Sequence, residues 1–422
     1  MLMALVVSAA TSCIYEYEDE PSKPEGVSLK ISLDVSPLTM SGSDIGNDHE
    51  KVQSIRIIML SDGRLEVNQR TTLNSVLASQ LKKSYRFNTV PGEKEFYIIA
   101  NEESVSDYSF ESGSGVNVDT SRDFSELLTS FKPEAEGNTA NGKALKAVLE
   151  NLYFEPTFSQ NQNGDIYLPY TAHYSGYRIE DEDQTYLQDP VRMYLVPVAT
   201  KFIFTFVNYR PNEVQINEVT VNDKNDSHFL MGHVLESHKY FGSDYLYWVD
   251  WLARVSEESH NHIEPGDNED FNKDFGWINN YEIPTESNTS PMQFVRPVDG
   301  KSVAAATPIE GKENEYTPKT TMLGPYYVPE SWNEYSYYDN KLEDWVTEQR
   351  YYLTLGLHDV KSEPGKDPGF DKVEIGNLRA LFRNTCMLIK VIFYEGKVEI
   401  YAEMSDWNHS YAQGYVITTK PT

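Results

Sequence analysis

Near its C-terminal end the chain alternates apolar and polar residues over two long arms. Met387, Ile389, Val391 and Phe393 are each separated by one residue, Glu395-Gly396 intervenes, and Val398, Ile400, Ala402 and Met404 alternate back. Successive side chains of a strand point to opposite faces, so this spacing puts every apolar residue of both arms on one side. No helix can do that with a period of 3.6 residues. The two-residue connection makes the pair an antiparallel hairpin. At the other end, Val27-Ser-Leu-Lys-Ile-Ser-Leu-Asp-Val35 alternates five apolar residues with four polar ones without a break. Strands with one apolar face must bury it against a second layer, so the chain has to build stacked sheets.

Further strands are predicted along the sequence. Ile55, Ile57 and Met59 lead into the turn Ser61-Asp62-Gly63-Arg64, and Glu95-Phe-Tyr-Ile-Ile-Ala-Asn101 reads as a more fully buried strand. Met193 to Val207 reads as one long strand with Phe202, Phe204 and Phe206 on one face, and Val214, Ile216, Val219 and Val221 continue the pattern. Pro325 to Pro329 and Tyr351 to Leu355 are further extended runs. Asp123 to Phe131 and Gly142 to Leu152 are the best helical candidates. The 29 tyrosines add to a β-favouring composition. From Glu257 to Thr317 the chain is charged, rich in Asn and Pro and weakly periodic, which reads as a loop insertion over about 257–320. Length suits two domains of ordinary size, 27–189 and 190–422. The expected fold is mainly β: two tandem antiparallel β-sandwich domains with Greek-key connections and a few short helices.

The first residues carry a different signal. Leu5 to Cys13 read Leu-Val-Val-Ser-Ala-Ala-Thr-Ser-Cys, a short apolar run closed by small residues and a cysteine. The run is too short to span a bilayer and has the form of a bacterial lipoprotein signal peptide, residues 1–12, removed at Cys13. An ordinary signal peptide cleaved nearby is the other reading. Acyl chains on Cys13, each buried methylene contributing roughly 0.8 kcal/mol, would hold the protein on a membrane surface. Residues 13–26 follow as an acidic, proline-containing tether with nothing to pack. The only other cysteine is Cys386, set in a strand-like run, so a lipidated Cys13 leaves no intrachain disulfide. The net charge of -29 argues against nucleic acid and against adsorption to anionic lipid.

Signals for chemistry are weak. His260-Asn-His262 with Glu264 implies no third metal ligand. Asp267 to Asp274 has the acidity of a calcium loop but carries Asn272 where Gly belongs and Ile278 where Glu belongs. No nucleophile-elbow, phosphate-loop or dinucleotide pattern is present. No enzyme, metal or cofactor is therefore expected. Cys386 is read as a small core residue. Aromatic residues cluster in Tyr245 to Trp251 and in Trp332 to Tyr338. Trp248, Trp251 and Trp332 are candidate glycan contacts, although core-filling or loop-bracing rings are the commoner use of such clusters.

Taken in order, several segments resemble the fimbrillins of Bacteroidetes type V pili. They are the lipoprotein cysteine and acidic tether, the strand Val27 to Val35, Lys51-Val-Gln-Ser-Ile-Arg-Ile-Ile-Met-Leu60 with its Asp-Gly turn, Phe96 to Asn101, the strand around Val196 to Asn208, Tyr326 to Glu330, Arg383-Asn384-Thr385, and Trp407 after the last long strand. The resemblance implies transthyretin-like sandwiches and assembly rather than catalysis. Family subunits are exported as outer-membrane lipoproteins. A protease, often arginine-specific, removes the first strand, and a neighbour's C-terminal strand fills the groove. Here the removable strand would be Val27, Leu29, Ile31, Leu33 and Val35 with their intervening residues. The donor would be the tail around Tyr411 to Thr418, with Tyr415 and Ile417 filling pockets. Partners would be other fimbrial subunits, the outer membrane through lipid on Cys13, and a host protein or glycan. Ser36 to Glu50, where the arginine site would sit, contains no Arg or Lys, and Arg64 and Arg70 are the next candidates, read as lying in loops. Either a protease of different specificity matures the chain, or it is never cut and stays on its lipid as an anchor. The alternative reading is a surface lipoprotein that binds glycans for nutrient capture.

Overall fold

A computed structural model describes residues 29–37, 49–110, 113–154, 161, 163–179, 191–224, 228–231, 233–234, 281–282, 292–312, 315–328, 331–332, 334–339, 344–349, 351–359, 370–375, 380–381, 383–395 and 397–406. The first half of the chain holds β1 (Leu29–Pro37), β2 (Lys51–Ser61), β3 (Arg64–Leu77), β4 (Lys83–Thr89), β5 (Gly92–Ala100), β6 (Tyr108–Phe110), α1 (Phe124–Ser130), α2 (Ala140–Glu150), β7 (Leu152–Phe154), β8 (Tyr170–Ile179) and β9 (Val191–Pro197). Next come β10 (Thr200–Asn208), β11 (Val214–Lys224), β12 (His228–Phe229), β13 (His233–Val234), β14 (Tyr281–Glu282), β15 (Met292–Val303), β16 (Thr307–Pro308), β17 (Tyr316–Thr317) and β18 (Lys319–Val328). The last are β19 (Ser331–Trp332), β20 (Glu334–Asp339), β21 (Asp344–Gln349), β22 (Tyr351–Asp359), β23 (Phe370–Ile375), β24 (Ala380–Leu381), β25 (Thr385–Tyr394) and β26 (Lys397–Asp406).

The first sandwich is a seven-stranded sheet in the order β3-β2-β5-β8-β9-β1-β4. Its two halves meet where β8 and β9 pair over only Tyr170↔Pro197 and Thr171↔Val196. The sheet folds over at that narrow join. Tyr85 and Phe87 of β4 and Met193 and Leu195 of β9 therefore share one core with Ile55, Ile57, Met59, Phe96 and Ile98.

The opposite faces of β2 and β5 are also covered. Ile58, Leu60, Tyr97 and Ile99 pack against Phe124, Leu127 and Leu128 of α1 and Leu145, Val148 and Leu149 of α2. Each helix brings a short i, i+3, i+4 apolar stripe to the sheet. Burial on both faces explains the unbroken Ile57-Ile58-Met59-Leu60 run. Arg56 lies on this helix-covered face. It donates to both carboxylate oxygens of Glu102 at 2.6 and 2.8 Å and to Asn68 and Thr129. A buried charge is tolerated when its hydrogen-bonding capacity is met in this way.

The second half stacks a sheet β18-β10-β25-β26 and a sheet β15-β11-β22-β23. Phe202, Phe204 and Phe206 line up along β10 with ring centroids 6.1 and 6.2 Å apart. The expected terminal hairpin is present, with Tyr394 opposite Lys397 across a two-residue turn. Both expected helices form, as α1 and α2.

The expected β-sandwich architecture is present. The sandwiches are mostly antiparallel, but β1 runs parallel to β9 and β10 parallel to β25. Parallel neighbours arise here because strands far apart in sequence are brought side by side instead of by hairpins. Three finer readings need correction. The single strand expected from Met193 to Val207 is two. β9 completes the first sheet, and the chain crosses at Val198-Ala199 to start β10 in the second. The segment 257–320 is not loop throughout, since it holds β15 and the start of β18. A register shift in the β11–β15 pairing, between Ile216↔Lys301 and Glu218↔Pro297, breaks the alternation that would have revealed β15. Arg64 and Arg70 stand in β3 and not in loops. β3 is an edge strand with mixed exposure, so its sequence Arg-Leu-Glu-Val-Asn-Gln-Arg-Thr-Thr lacks a continuous apolar face.

Two predictions concern the helix layer. A Cβ added at Gly142 of α2 would lie 2.1 Å from the Gly63 carbonyl oxygen and 2.8 Å from the Leu65 amide. Gly142→Ala should thus lower stability by about 1–3 kcal/mol in urea unfolding, and an unchanged midpoint would contradict the packing. Glu95 is half-buried, which alone would raise its pKa. Hydrogen bonds from His173, Lys146 and Tyr97 outweigh burial and hold its carboxyl at about 2. A depressed carboxyl contributes stability above its unfolded value and loses it as the pH falls through the folded one. Glu95→Gln should destabilise by on the order of 3 kcal/mol near neutrality. The gap to the unmodified protein should close between about pH 5 and pH 2, which urea titrations across that range would measure.

Candidate functional site

The site is the slot occupied by β1. The first described strand of the chain lies inside a sheet, with β4 on one side and β9 on the other. Its register is antiparallel to β4, from Leu29↔Thr89 through Ile31↔Phe87 and Leu33↔Tyr85 to Val35↔Lys83. It is parallel to β9, from Leu33↔Val191 to Pro37↔Leu195. β4 has no other neighbour in the sheet. Withdrawing β1 would leave two unpaired backbone edges with apolar walls between them.

Those walls are built by alternation. In β4, Tyr85, Phe87 and Thr89 are buried while Ser84, Arg86 and Asn88 are exposed. The Tyr85 and Phe87 rings stack with centroids 6.2 Å apart and planes at 3°. Burial pushes the Tyr85 phenol up to about 12, with Thr71 opposing the shift, so it stays protonated at any physiological pH. On the other side Met193 and Leu195 of β9 are fully buried. The floor is the facing sheet, with Ile57, Met59, Phe96 and Ile98.

A polar plug closes the end of the slot beside Leu29. Lys94 reaches out of the core face of β5 and donates to Ser61 at 2.6 Å and Glu66 at 2.9 Å, and Thr89 donates to the same Glu66 oxygen at 3.0 Å. Burial lowers the Lys94 pKa, and Glu66 partly restores it. At the other end the chain leaves β1 at Pro37 and is next described at His49.

The first three arginines that follow β1 in the sequence are held in structure. Arg56 is the first arginine of the chain and is 1% exposed. Arg64 donates to the Glu134 carbonyl, and Arg70 pairs with Glu102 at 2.9 Å and with Glu103. Cutting at any of the three would sever the β2–β3 ladder.

Of the residues singled out in the sequence, Leu29, Ile31, Leu33 and Val35 lie in β1. Val27, Cys13, the tether, Tyr415, Ile417, Trp248, Trp251, Trp407, His260, His262, Glu264 and the acidic segment Asp267 to Asp274 lie outside the described residues. The backbone of Trp332 forms β19 opposite Ala380. Cys386 is buried in β25. Among the described residues, no three His, Cys, Asp or Glu side chains form a group that could hold a metal ion. No helix there is long and apolar enough to cross a membrane. Sequence reading missed the slot walls, although Tyr85-Arg-Phe87 alternates and Met193 and Leu195 were assigned to a different strand.

No family model matches the sequence, and no curated protein matches it. Solved structures do. The chain is similar to the tip fimbrial protein Mfa3 from Porphyromonas gingivalis with a C-terminal truncation, at 12% identity and a TM-score of 0.41, over 90% of this chain and 100% of that one. It is similar to a fimbrial assembly protein from Parabacteroides distasonis, at 10% identity and a TM-score of 0.35, over 89% and 96% of the two chains. It is also similar to a candidate polysaccharide-binding protein from Bacteroides thetaiotaomicron, at 11% identity and a TM-score of 0.34, over 92% and 98%.

The slot makes a direct prediction. A chain beginning at residue 38 should lose on the order of 5–10 kcal/mol, since it forfeits two backbone ladders and uncovers the apolar walls built by Tyr85, Phe87, Met193 and Leu195. It should recover on addition of a synthetic peptide spanning residues 27–37. Equal urea midpoints with and without β1 would show that the slot does not depend on its strand.

Proposed function

We propose that this protein is a subunit of a surface fimbria, assembled by strand exchange through the β1 slot and supporting adhesion. The observation that carries the proposal is the place of β1, an N-terminal strand that supplies the inside of a sheet and is the sole sheet partner of β4. Removing it leaves backbone groups and apolar surface that an incoming extended segment can satisfy together. A donor strand would run antiparallel to β4 and parallel to β9. The tail around Tyr411 to Thr418 of a neighbouring subunit, with Tyr415 and Ile417 as pocket-filling residues, is the donor we infer.

Export as a lipoprotein on Cys13 places the protein on the outer membrane in this reading, with other fimbrial subunits as partners and a host protein or glycan as the adhesive target. Because Ser36 to Glu50 contains no Arg or Lys, either a protease of different specificity frees the slot, or the chain is never cut and stays on its lipid as an anchor that keeps its own β1. No catalytic constellation was found in the sequence to suggest an enzyme.

The test is N-terminal mass mapping of the protein recovered from outer membranes and from sheared surface filaments. An anchor should begin at acylated Cys13 and fractionate with membranes alongside fimbrial partners, whereas a polymerised subunit should begin between about residues 38 and 50 in the filament fraction. A protein that keeps β1, never co-purifies with filaments and binds polysaccharide saturably would defeat the fimbrial reading in favour of glycan capture.

A further inference from the structure

The two sandwiches meet through buried contacts that run in both directions. From the first, Glu50 at the entry to β2 accepts Lys201 of β10 at 2.7 Å and the Tyr327 hydroxyl of β18 at 2.8 Å. Glu50 and Lys201 are at most 2% exposed. Tyr327, although it belongs to β18, is part of the first sandwich's core. Its phenol is held protonated by burial and by the Glu50 charge, so it acts as a donor.

From the second half, a short strap returns to the first. Phe229 pairs with Tyr153 of β7 and stacks on it at 4.5 Å, and His228 pairs with Phe154. The Leu230 amide donates to the Leu152 carbonyl. Leu230 and Met231 are buried among the side chains of α1 and α2. Arg383, at the turn before β25, is fully buried and pins this strap. It donates to the Phe229 carbonyl at 2.9 Å, the Leu230 carbonyl at 3.0 Å and the Thr171 hydroxyl at 3.3 Å. Next to it, the Asn384 amide donates to the carbonyl of Ala199, the residue that joins β9 to β10.

These groups form two clasps around one crossing. The Glu50 clasp closes at the chain that follows β1, and the Arg383 clasp closes at the chain that follows β9, the strand paired with β1. We propose that the junction is a load-bearing clamp that makes the two sandwiches one mechanical and folding unit. Pull applied at the β1 slot would then reach the β25–β26 hairpin without passing through a hinge. The rigidity follows from this chain alone, while its use under load rests on the fimbrial reading. Strap and clasps are distinct from the slot, and they explain why a buried arginine is kept where a smaller residue would end the turn.

The experiment is urea unfolding of the full chain followed by two local probes. Hydrogen exchange of the β10 and β25 amides reports the second half, and that of the β2 and β5 amides reports the first. The clamp predicts coincident midpoints for the unmodified protein. In Arg383→Met, and more mildly in Tyr327→Phe, which removes only a hydroxyl, the midpoints should separate by about 1 M urea or more. Midpoints already apart in the unmodified protein, or still coincident in both variants, would overturn the clamp. Coincident unfolding of a protein that keeps β1, co-purifies with neither filaments nor fimbrial partners and binds polysaccharide saturably would support the clamp while retiring the fimbrial reading.

Discussion

The double pairing of β1 is the constraint on which the first sandwich rests. Among the described residues β4 is hydrogen-bonded into the sheet ladder only through β1, and β9 is otherwise tied to β8 by two residue pairs. Tyr85 and Phe87 therefore reach the core on a strand whose backbone is satisfied by the chain's own N-terminal segment. Unpaired edges and exposed aromatic surface together are expensive in water, so a sheet built this way must always contain some strand at this position. Whether that strand belongs to the same chain is not dictated by the slot, which responds to backbone direction and to the spacing of apolar residues. The strand exchange proposed above would rely on this indifference.

The layers differ in how they tolerate such exchange. The half-sheet of β2, β5 and β8 is fixed on its outer side by α1, α2 and the Arg56–Glu102 pair, and its edge strand β3 is long and polar. Loss of β1 would strip the facing layer and leave this one with its helices. The polar plug of Lys94, Glu66, Ser61 and Thr89 sits at the seam between the layers. It joins β4 to β5 and β2 through side chains, giving the layers a connection that does not run through β1.

How much of this was legible in the sequence depended on local regularity. The strands with clean alternation, β1 and the β25–β26 hairpin, were readable because alternation alone puts their apolar residues on one face, and β2 and β5 were readable as apolar runs. α1 and α2 were found from short apolar stripes. β3 was missed because an edge strand needs no apolar face, and β15 because a bulge shifts its period midway. β9 and β10 merged into one because no glycine, asparagine or aspartate marks Val198-Ala199, where the chain passes between sheets. The slot walls failed for another reason. Tyr85 and Met193 are ordinary apolar strand positions, and only the non-local pairing with β1 gives them a role. The same holds for Glu50, Lys201 and Arg383, which look like surface charges until the fold brings them together and dehydrates them.

The distribution of basic residues bears on how the N-terminal segment can be parted from the domain. Arg56 is committed to Glu102, Arg64 to the Glu134 carbonyl and Arg70 to Glu102 and Glu103, while Lys51 lies 3.8 Å from Asp165. Each sits in β2 or β3, where cleavage would cost ladder bonds on both sides of the cut. The stretch between β1 and His49 is basic-free, and His49 and Glu50 are already built in. The Ile166 amide donates to the His49 carbonyl, and the Glu50 side chain closes the clamp. Parting the chain before His49 would preserve β2 and the clamp, but it requires a protease that does not depend on arginine or lysine. With a protease of basic specificity the fold keeps β1, and under the proposed function such a subunit would offer its own slot to no neighbour, leaving it to donate a strand or to hold the base.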